Sequence, residues 1–485
     1  PTSDSVAAVT AVAANAAFSA RAPAPRPARS ARGPTCSDPL AQSSASPPRP
    51  ASSRAPGGGH ARGPAGAGRA LRLRYPPMIP RQFLVENRRW LAAGALMCLA
   101  SSFGQTFFIA LFGAELRAEF GLSDGAFGAL YTAGTLASAA TLAAAGGLAD
   151  RFRARTIALA VIALYAGVCV AMSRVDGPAM LALVFFGLRF CGQGMMSQIA
   201  MTAMGRWFRA QRGRAVAVAG LGFSAGEAVF PLLGVGAMAL FGWRGTWLAA
   251  AALLLLAAPV LLRLLAEERT PQSWATDESG PGLGGRHWTR AEAVRHWMFL
   301  PVTLGVLGPP LIGTSLFFQQ ARLAEEKGWS LAAVAAAYPA YSAVTIACSF
   351  AAGWLVDRYG ARRMLPFYQA PMAAGALLLS NGDALWLIWA VFALFGVTQG
   401  GAVAILGSVW PELYGTRHVG AIRGLAVSAM VFATALGPGI TGGLLDLGVA
   451  LDAQFAGFAL LQLGVCGGFL VLARAAAREA RAAPA

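Results

Sequence analysis

Charge is scarce in this sequence. Asp, Glu, Lys and Arg make up 13% of its 485 residues, about half of the roughly 25% found in soluble domains, which excludes a solvated surface over most of the chain. Lysine is nearly absent, with Lys327 the single example, so arginine carries almost all of the positive charge. Histidine is scarce too, at four residues. His60, His287, His296 and His418 all fall outside the long apolar runs, and no His/acid metal cluster, nucleophile elbow or phosphate-binding loop is evident. An enzyme is therefore not expected, nor a cofactor, nor a bound metal. Cys98, Cys169, Cys191, Cys348 and Cys466 sit inside apolar stretches without metal or disulfide spacing, and Cys36 stands alone in a polar segment.

What the chain has instead is apolar surface, at 56% hydrophobic residues, together with a net charge of +17. A soluble protein this basic would suggest a nucleic-acid partner, but here the arginines cluster in short loops between apolar segments, so the charge reports topology and the expected partner is the lipid bilayer. Residues 1–80 differ from the rest: rich in Ala, Pro, Ser, Gly and Arg, almost free of acids and without an apolar period, they are expected to be disordered. Three accounts stay open for them: a cytoplasmic tail, a targeting segment, or a start assigned too early, the first methionine being Met78.

From Trp90 onward, apolar runs long enough to cross a hydrocarbon core of about 30 Å recur to the end of the chain. Twelve are counted, at 90–114, 125–149, 157–173, 177–202, 215–241, 245–262, 297–318, 331–356, 364–380, 384–409, 420–445 and 453–473. They are continuously apolar and too long for barrel strands, and a helix satisfies its own backbone in lipid, so helices are expected. Loops after the second, fourth, eighth and tenth runs carry Arg151, Arg153, Arg155, Arg206, Arg209, Arg212, Arg214, Arg358, Arg362, Arg363, Arg417 and Arg423, whereas the opposite loops hold few cations beside several acids. The positive-inside rule then places both termini in the cytoplasm, with a bacterial inner membrane the expected location. A polar connection splits the runs six and six. The expected domains are the tail 1–80, a six-helix bundle 81–265, a linker 266–296, a second bundle 297–474 and a basic tail 475–485.

The halves echo each other. Gly146-Gly147-Leu148-Ala149-Asp150-Arg151 recurs as Gly353-Trp354-Leu355-Val356-Asp357-Arg358, followed by Gly360, Arg362 and Arg363, and a displacement of 207 residues also relates Pro231 to Pro438. Small glycines let helix ends approach, the aspartate can cap the next helix, and the arginines hold the loop on one side. The repeated motif resembles the signature loop of the major facilitator superfamily. That resemblance implies an all-α membrane protein of twelve transmembrane helices in two six-helix bundles related by a pseudo-two-fold axis, which moves a small-molecule substrate by alternating access. It also implies a conformational latch at Gly146, Asp150, Arg151, Arg155, Gly353, Asp357, Arg358, Gly360, Arg362 and Arg363. The first copy departs from the pattern, with Arg153 and Ala154 where the second has Gly360 and Ala361.

Selectivity is expected elsewhere. Arg189 lies near the middle of the fourth run, where an arginine costs about 2.5–3.5 kcal/mol and needs compensation. The stretch Arg189-Phe190-Cys191-Gly192-Gln193-Gly194 resembles the superfamily's fourth-helix signature, whose arginine the resemblance links to proton coupling. Glu227 in the fifth run is expected at similar depth as its ion-pair partner, for coupling or as a static structural pair. Gln105, Gln193, Gln319 with Gln320, and Gln399 fall in the first, fourth, seventh and tenth runs, which line the central cavity in the superfamily; interhelical glue is the alternative. Tyr338 and Tyr341, a turn apart on the eighth run, are candidates for the same wall or for aromatic packing. Arg206-Trp207-Phe208 with Arg212-Gly213-Arg214-Ala215 resembles the monocarboxylate-porter-like branch, implying a carboxylate substrate, although the eighth run lacks the cation common there. The expected function is a proton-coupled transporter of a small organic solute. A proton-driven multidrug or metabolite efflux antiporter, and a non-transporting receptor on the same fold, are the alternatives.

Overall fold

The computed structural model describes residues 81–145, 153–208, 212–267 and 281–482. Among them every regular element is helical. Helix α1 runs Arg81–Gly104, bends by 42° and continues Thr106–Phe120. It is followed by α2 (Asp124–Ala145), α3 (Ala154–Met172) and α4 (Pro178–Trp207). One long helical stretch, Arg212–Leu264, is broken where Gly242 adopts φ 67° and ψ 173°, a conformation that a side chain disfavours. It therefore forms α5 (212–241) and α6 (243–264). The second bundle comprises α7 (Phe299–Phe318), α8 (Leu331–Tyr359), α9 (Ala370–Ser380, preceded by the turn Ala361–Met364), α10 (Leu387–Tyr414), α11 (Val419–Asp446) and α12 (Leu451–Ala482).

The two bundles hold twelve helices. Among the described residues, eight helical stretches are long and apolar enough to cross a bilayer, and the bent α1 makes a ninth. Gly213–Leu264, at 52 residues, would rise about 78 Å if straight, more than twice the hydrocarbon thickness, so its break makes two crossings. Helix α2 and the short apolar α9 complete the set. Large apolar side chains such as Leu183, Leu256, Trp354 and Leu460 remain exposed, as lipid-facing positions should. The first expected run was continuous over 90–114. The structure instead starts the helix at Arg81 and breaks it at Gln105, whose backbone is extended (φ −83°, ψ 152°).

The bundles meet where α2 packs on α11 and α5 on α8, pairs that the 207-residue displacement exchanges. Contact between α2 and α11 is backbone to backbone. A Cβ at Gly128 would fall 2.4 Å from the Pro438 carbonyl oxygen, and one at Gly442 would fall 2.3 Å from that of Asp124. Small residues are the means by which helices approach in lipid, where no hydrophobic drive presses them together. Part of the expected linker is ordered on the second bundle: Thr289 and Glu292 form a capping box for the helix Arg290–Arg295, and the Trp288 amide donates to the Tyr414 carbonyl. Residues 1–80 and the middle of the linker lie outside the described residues.

At the end opposite the arginine loops each bundle is clasped by ions. Lys327, with a side chain only 3% exposed, pairs with Asp383 and Asp452 at 2.7 Å each, tying the segments after α7 and α9 to the first turn of α12. Burial lowers its pKa, but the two aspartates outweigh that and hold the ammonium above its ordinary value. In the first bundle Arg244 pairs with Glu119 and donates to the Val175 carbonyl, tying the start of α6 to the end of α1 and the loop after α3, with the cation on a different element.

Candidate substrate cavity

The break in α1 creates the site. With Gln105 extended, the carbonyl of Gly104 is turned from its own helix, and the buried Arg189 of α4 donates from Nη1 to that oxygen at 3.2 Å and to Thr106 Oγ1 at 3.4 Å. Its guanidinium carbon also lies 5.4 Å from the centroid of the Tyr131 ring, within the range of a cation–π contact. Helix α4 widens into a π-helical segment over Arg189–Met196, a form that often marks functional sites. Glycine is needed where the two irregular segments touch, because a Cβ at Gly104 would fall 2.1 Å from the Leu188 carbonyl oxygen.

The expected ion pair between Arg189 and Glu227 does not form. Neutral acceptors at the α1 break occupy the guanidinium, and among the described residues its Nε has no partner. Both residues instead face one cavity of about 470 Å³, whose wall also includes Gln105, Gln193, Tyr341 and Gln399. Gln319 and Tyr338 are not on that wall. Gln319 is buried and donates to Thr441 on α11, as glue within the second bundle. Tyr338 donates to Gln320, which in turn donates to the Phe107 carbonyl across the bundle interface.

Sequence reasoning missed several wall residues. Arg423, exposed near the start of α11 and counted only as a topology signal, lines the cavity, as do Thr106, Tyr368 and Thr434. Thr434 lies 207 positions after Glu227, so the internal repeat could have pointed to it. About 16 Å of helix rise separates Arg423 from Thr434 on α11, so the cavity extends lengthwise toward the arginine-rich end. At the opposite end the bundles are closed on each other. Phe318 packs on Phe127 and Tyr131, with ring centroids 5.0 and 4.7 Å apart. Thr132 donates to the Ala435 carbonyl at 2.7 Å, and Asp446 accepts from the Ser123 hydroxyl and the Gly125 amide at 2.7 and 3.1 Å.

Of the expected latch residues, Gly146, Asp150 and Arg151 lie outside the described residues, and Arg155 is exposed. In the second copy Gly360 has φ 83°. The following amides of Ala361 and Arg362 donate to Glu412 of α10, which also receives Arg362 Nε at 2.7 Å. Glu412 thus caps this turn, the role expected of Asp357. Arg358 lies over the rings of Trp354 and Tyr359, while Asp357 and Arg363 form no ion pair or side-chain hydrogen bond among the described residues. The 207-residue displacement puts Gly205 opposite Glu412, so the first bundle lacks that carboxylate.

A two-bundle helical membrane protein with a charged central cavity, closed at one end, has the architecture of a secondary transporter. The sequence pattern of the Major Facilitator Superfamily matches residues 94–321 and again 311–484, one match to each half. The chain belongs to that superfamily, and so to a transporter family, not an enzyme family. It is similar in sequence to an uncharacterized 38 kDa protein in the 23S RNA operon of Thermoproteus tenax, with 26% identity over 366 residues, 75% of this chain and 90% of that one. In structure it is similar to a bacterial homolog of the human lysosomal transporter Spinster in an inward-facing, occupied form, at TM-score 0.59 and 18% identity, covering 81% of this chain and 96% of that one. The unoccupied inward-facing form of that homolog matches with the same score, identity and share of this chain, and 97% of its own.

Proposed function

We propose that this transporter carries a small organic anion of the carboxylate class, coupled to protons, and that the arginine-rich loops face the cytoplasm, so that the cavity is open inward. The observation that carries this reading is the charge on the cavity wall. Arg189 and Arg423 both line it, neither is held by a carboxylate among the described residues, and Glu227 is the acid on the same wall. An arginine compensated only by neutral acceptors keeps its charge for a ligand, and its planar fork suits a carboxylate. Glu227, released from an ion pair with Arg189, is free to take up and release a proton with the transport cycle. The same two arginines disfavour an efflux pump for cations, which would meet net positive charge in this cavity.

The test separates exchange from accumulation. In liposomes with an imposed pH gradient, and with a panel of monocarboxylates as probes, the wild type is expected to accumulate a carboxylate and Glu227→Gln to exchange it without accumulating it. Unchanged gradient-driven accumulation by Glu227→Gln would remove the proton-coupling role.

A further inference from the structure

We infer that Tyr131 and Tyr338 form a two-fold related pair of gate tyrosines, and that Tyr131 alone couples Arg189 to closure of the gate opposite the arginine loops. The two residues are separated by the 207-residue displacement and stand about two turns into α2 and α8. Both are fully buried. Each ring reaches the opposite bundle: Tyr131 lies 4.7 Å from Phe318 of α7, and Tyr338 lies 6.0 Å from Phe107 of α1. Each hydroxyl bonds a polar side chain of its own bundle, Tyr131 with Thr106 of α1 at 2.7 Å and Tyr338 with Gln320, just beyond α7, at 2.9 Å. The gate is thus symmetric in its tyrosines.

Its connection to the cavity is not symmetric. Arg189 has Gly396 as its counterpart, so among the described residues the cation against a gate tyrosine belongs to the first bundle. Arg189 also donates to Thr106, the same hydroxyl that pairs with Tyr131. Ring, hydroxyl and guanidinium therefore form one closed set, and anything that draws the guanidinium away loosens the ring that packs on Phe318. Under the proposed function a substrate carboxylate would do this, because it competes with the ring and the Gly104 carbonyl for the same donors. The coupling between Arg189 and Tyr131 can be tested without that assumption.

The experiment measures gate opening in the full chain, with spin labels on Ala118→Cys and Leu447→Cys, exposed sites on the two bundles at the gated end, in a background with native thiols replaced. Aromatic pairs contribute about 0.5–1.5 kcal/mol, so Tyr131→Leu and Tyr338→Leu are each expected to raise the open-to-closed ratio about two- to tenfold. Arg189→Gln is expected to raise it in the wild-type and Tyr338→Leu backgrounds and to add nothing in Tyr131→Leu. Tyr131→Phe keeps both ring contacts and guards against misfolding of the leucine variant; its ratio should stay within about twofold of wild type. An Arg189→Gln effect of equal size in the wild-type and Tyr131→Leu backgrounds would overturn the coupling, and a Tyr131→Phe shift as large as that of Tyr131→Leu would overturn its basis in the ring.

Discussion

Arg189 is the residue on which stability and transport should separate. An arginine near the bilayer midplane costs about 2.5–3.5 kcal/mol. Against this stand two hydrogen bonds from a charged donor, of 3.2 and 3.4 Å and so worth about 1 kcal/mol each, and a cation–π contact at 5.4 Å worth about 1 kcal/mol. The terms nearly cancel, and the unpartnered Nε supplies nothing further. Arg189→Gln should therefore change folding free energy by less than about 1 kcal/mol, moving the thermal midpoint in detergent by no more than about 3 °C. The same substitution should abolish uptake of anionic probes into liposomes, and Arg189→Lys should restore only part of it, because an ammonium lacks the planar fork. A fall of about 10 °C in midpoint with transport retained would refute the reasoning, showing a structural arginine.

Lys327→Met should weaken the clasp of the second bundle by about 1–2 kcal/mol, less than the ~3–5 of a fully buried pair because Asp383 is 76% exposed. The fold raises the lysine's pKa, so its stabilisation is complete below the unfolded value of about 10.4 and is lost as pH rises through the folded value; thermal melts from pH 8 to 11 should show an alkaline loss that Lys327→Met lacks. Glu412→Gln removes the charged acceptor of two amides and of Arg362, and should speed hydrogen exchange at Ala361 and Arg362 about tenfold or more, with no such change at Gly205 in the other half. Gly442→Leu cannot fit against the Asp124 carbonyl, so it should hold the gated end apart, measured as greater water accessibility of Thr132.

The helix count, the duplication and the side bearing the arginines were legible in the sequence because each rests on composition over many residues. Arg189 and Glu227 were legible because ionisable residues in apolar runs are costly and so conspicuous. Their relation was not legible. Pairing by equal depth compared only the fourth and fifth runs, and the extended Gln105 of the first freed a carbonyl that no periodicity reveals. The glutamines divide between the two readings the sequence left open: Gln105, Gln193 and Gln399 line the cavity, whereas Gln319, which looks alike in sequence, bonds Thr441. Tyr131 carried no signal of its own, being one aromatic in an apolar run, except that its repeat partner Tyr338 had already been singled out.

The most direct test of the account is flux through the wild-type protein in liposomes under an imposed pH gradient, with monocarboxylates and lipophilic cations supplied in parallel. Carboxylate accumulation that collapses with a protonophore, and no movement of the cations, is the predicted result. Gradient-driven movement of the cations with no carboxylate flux would contradict it.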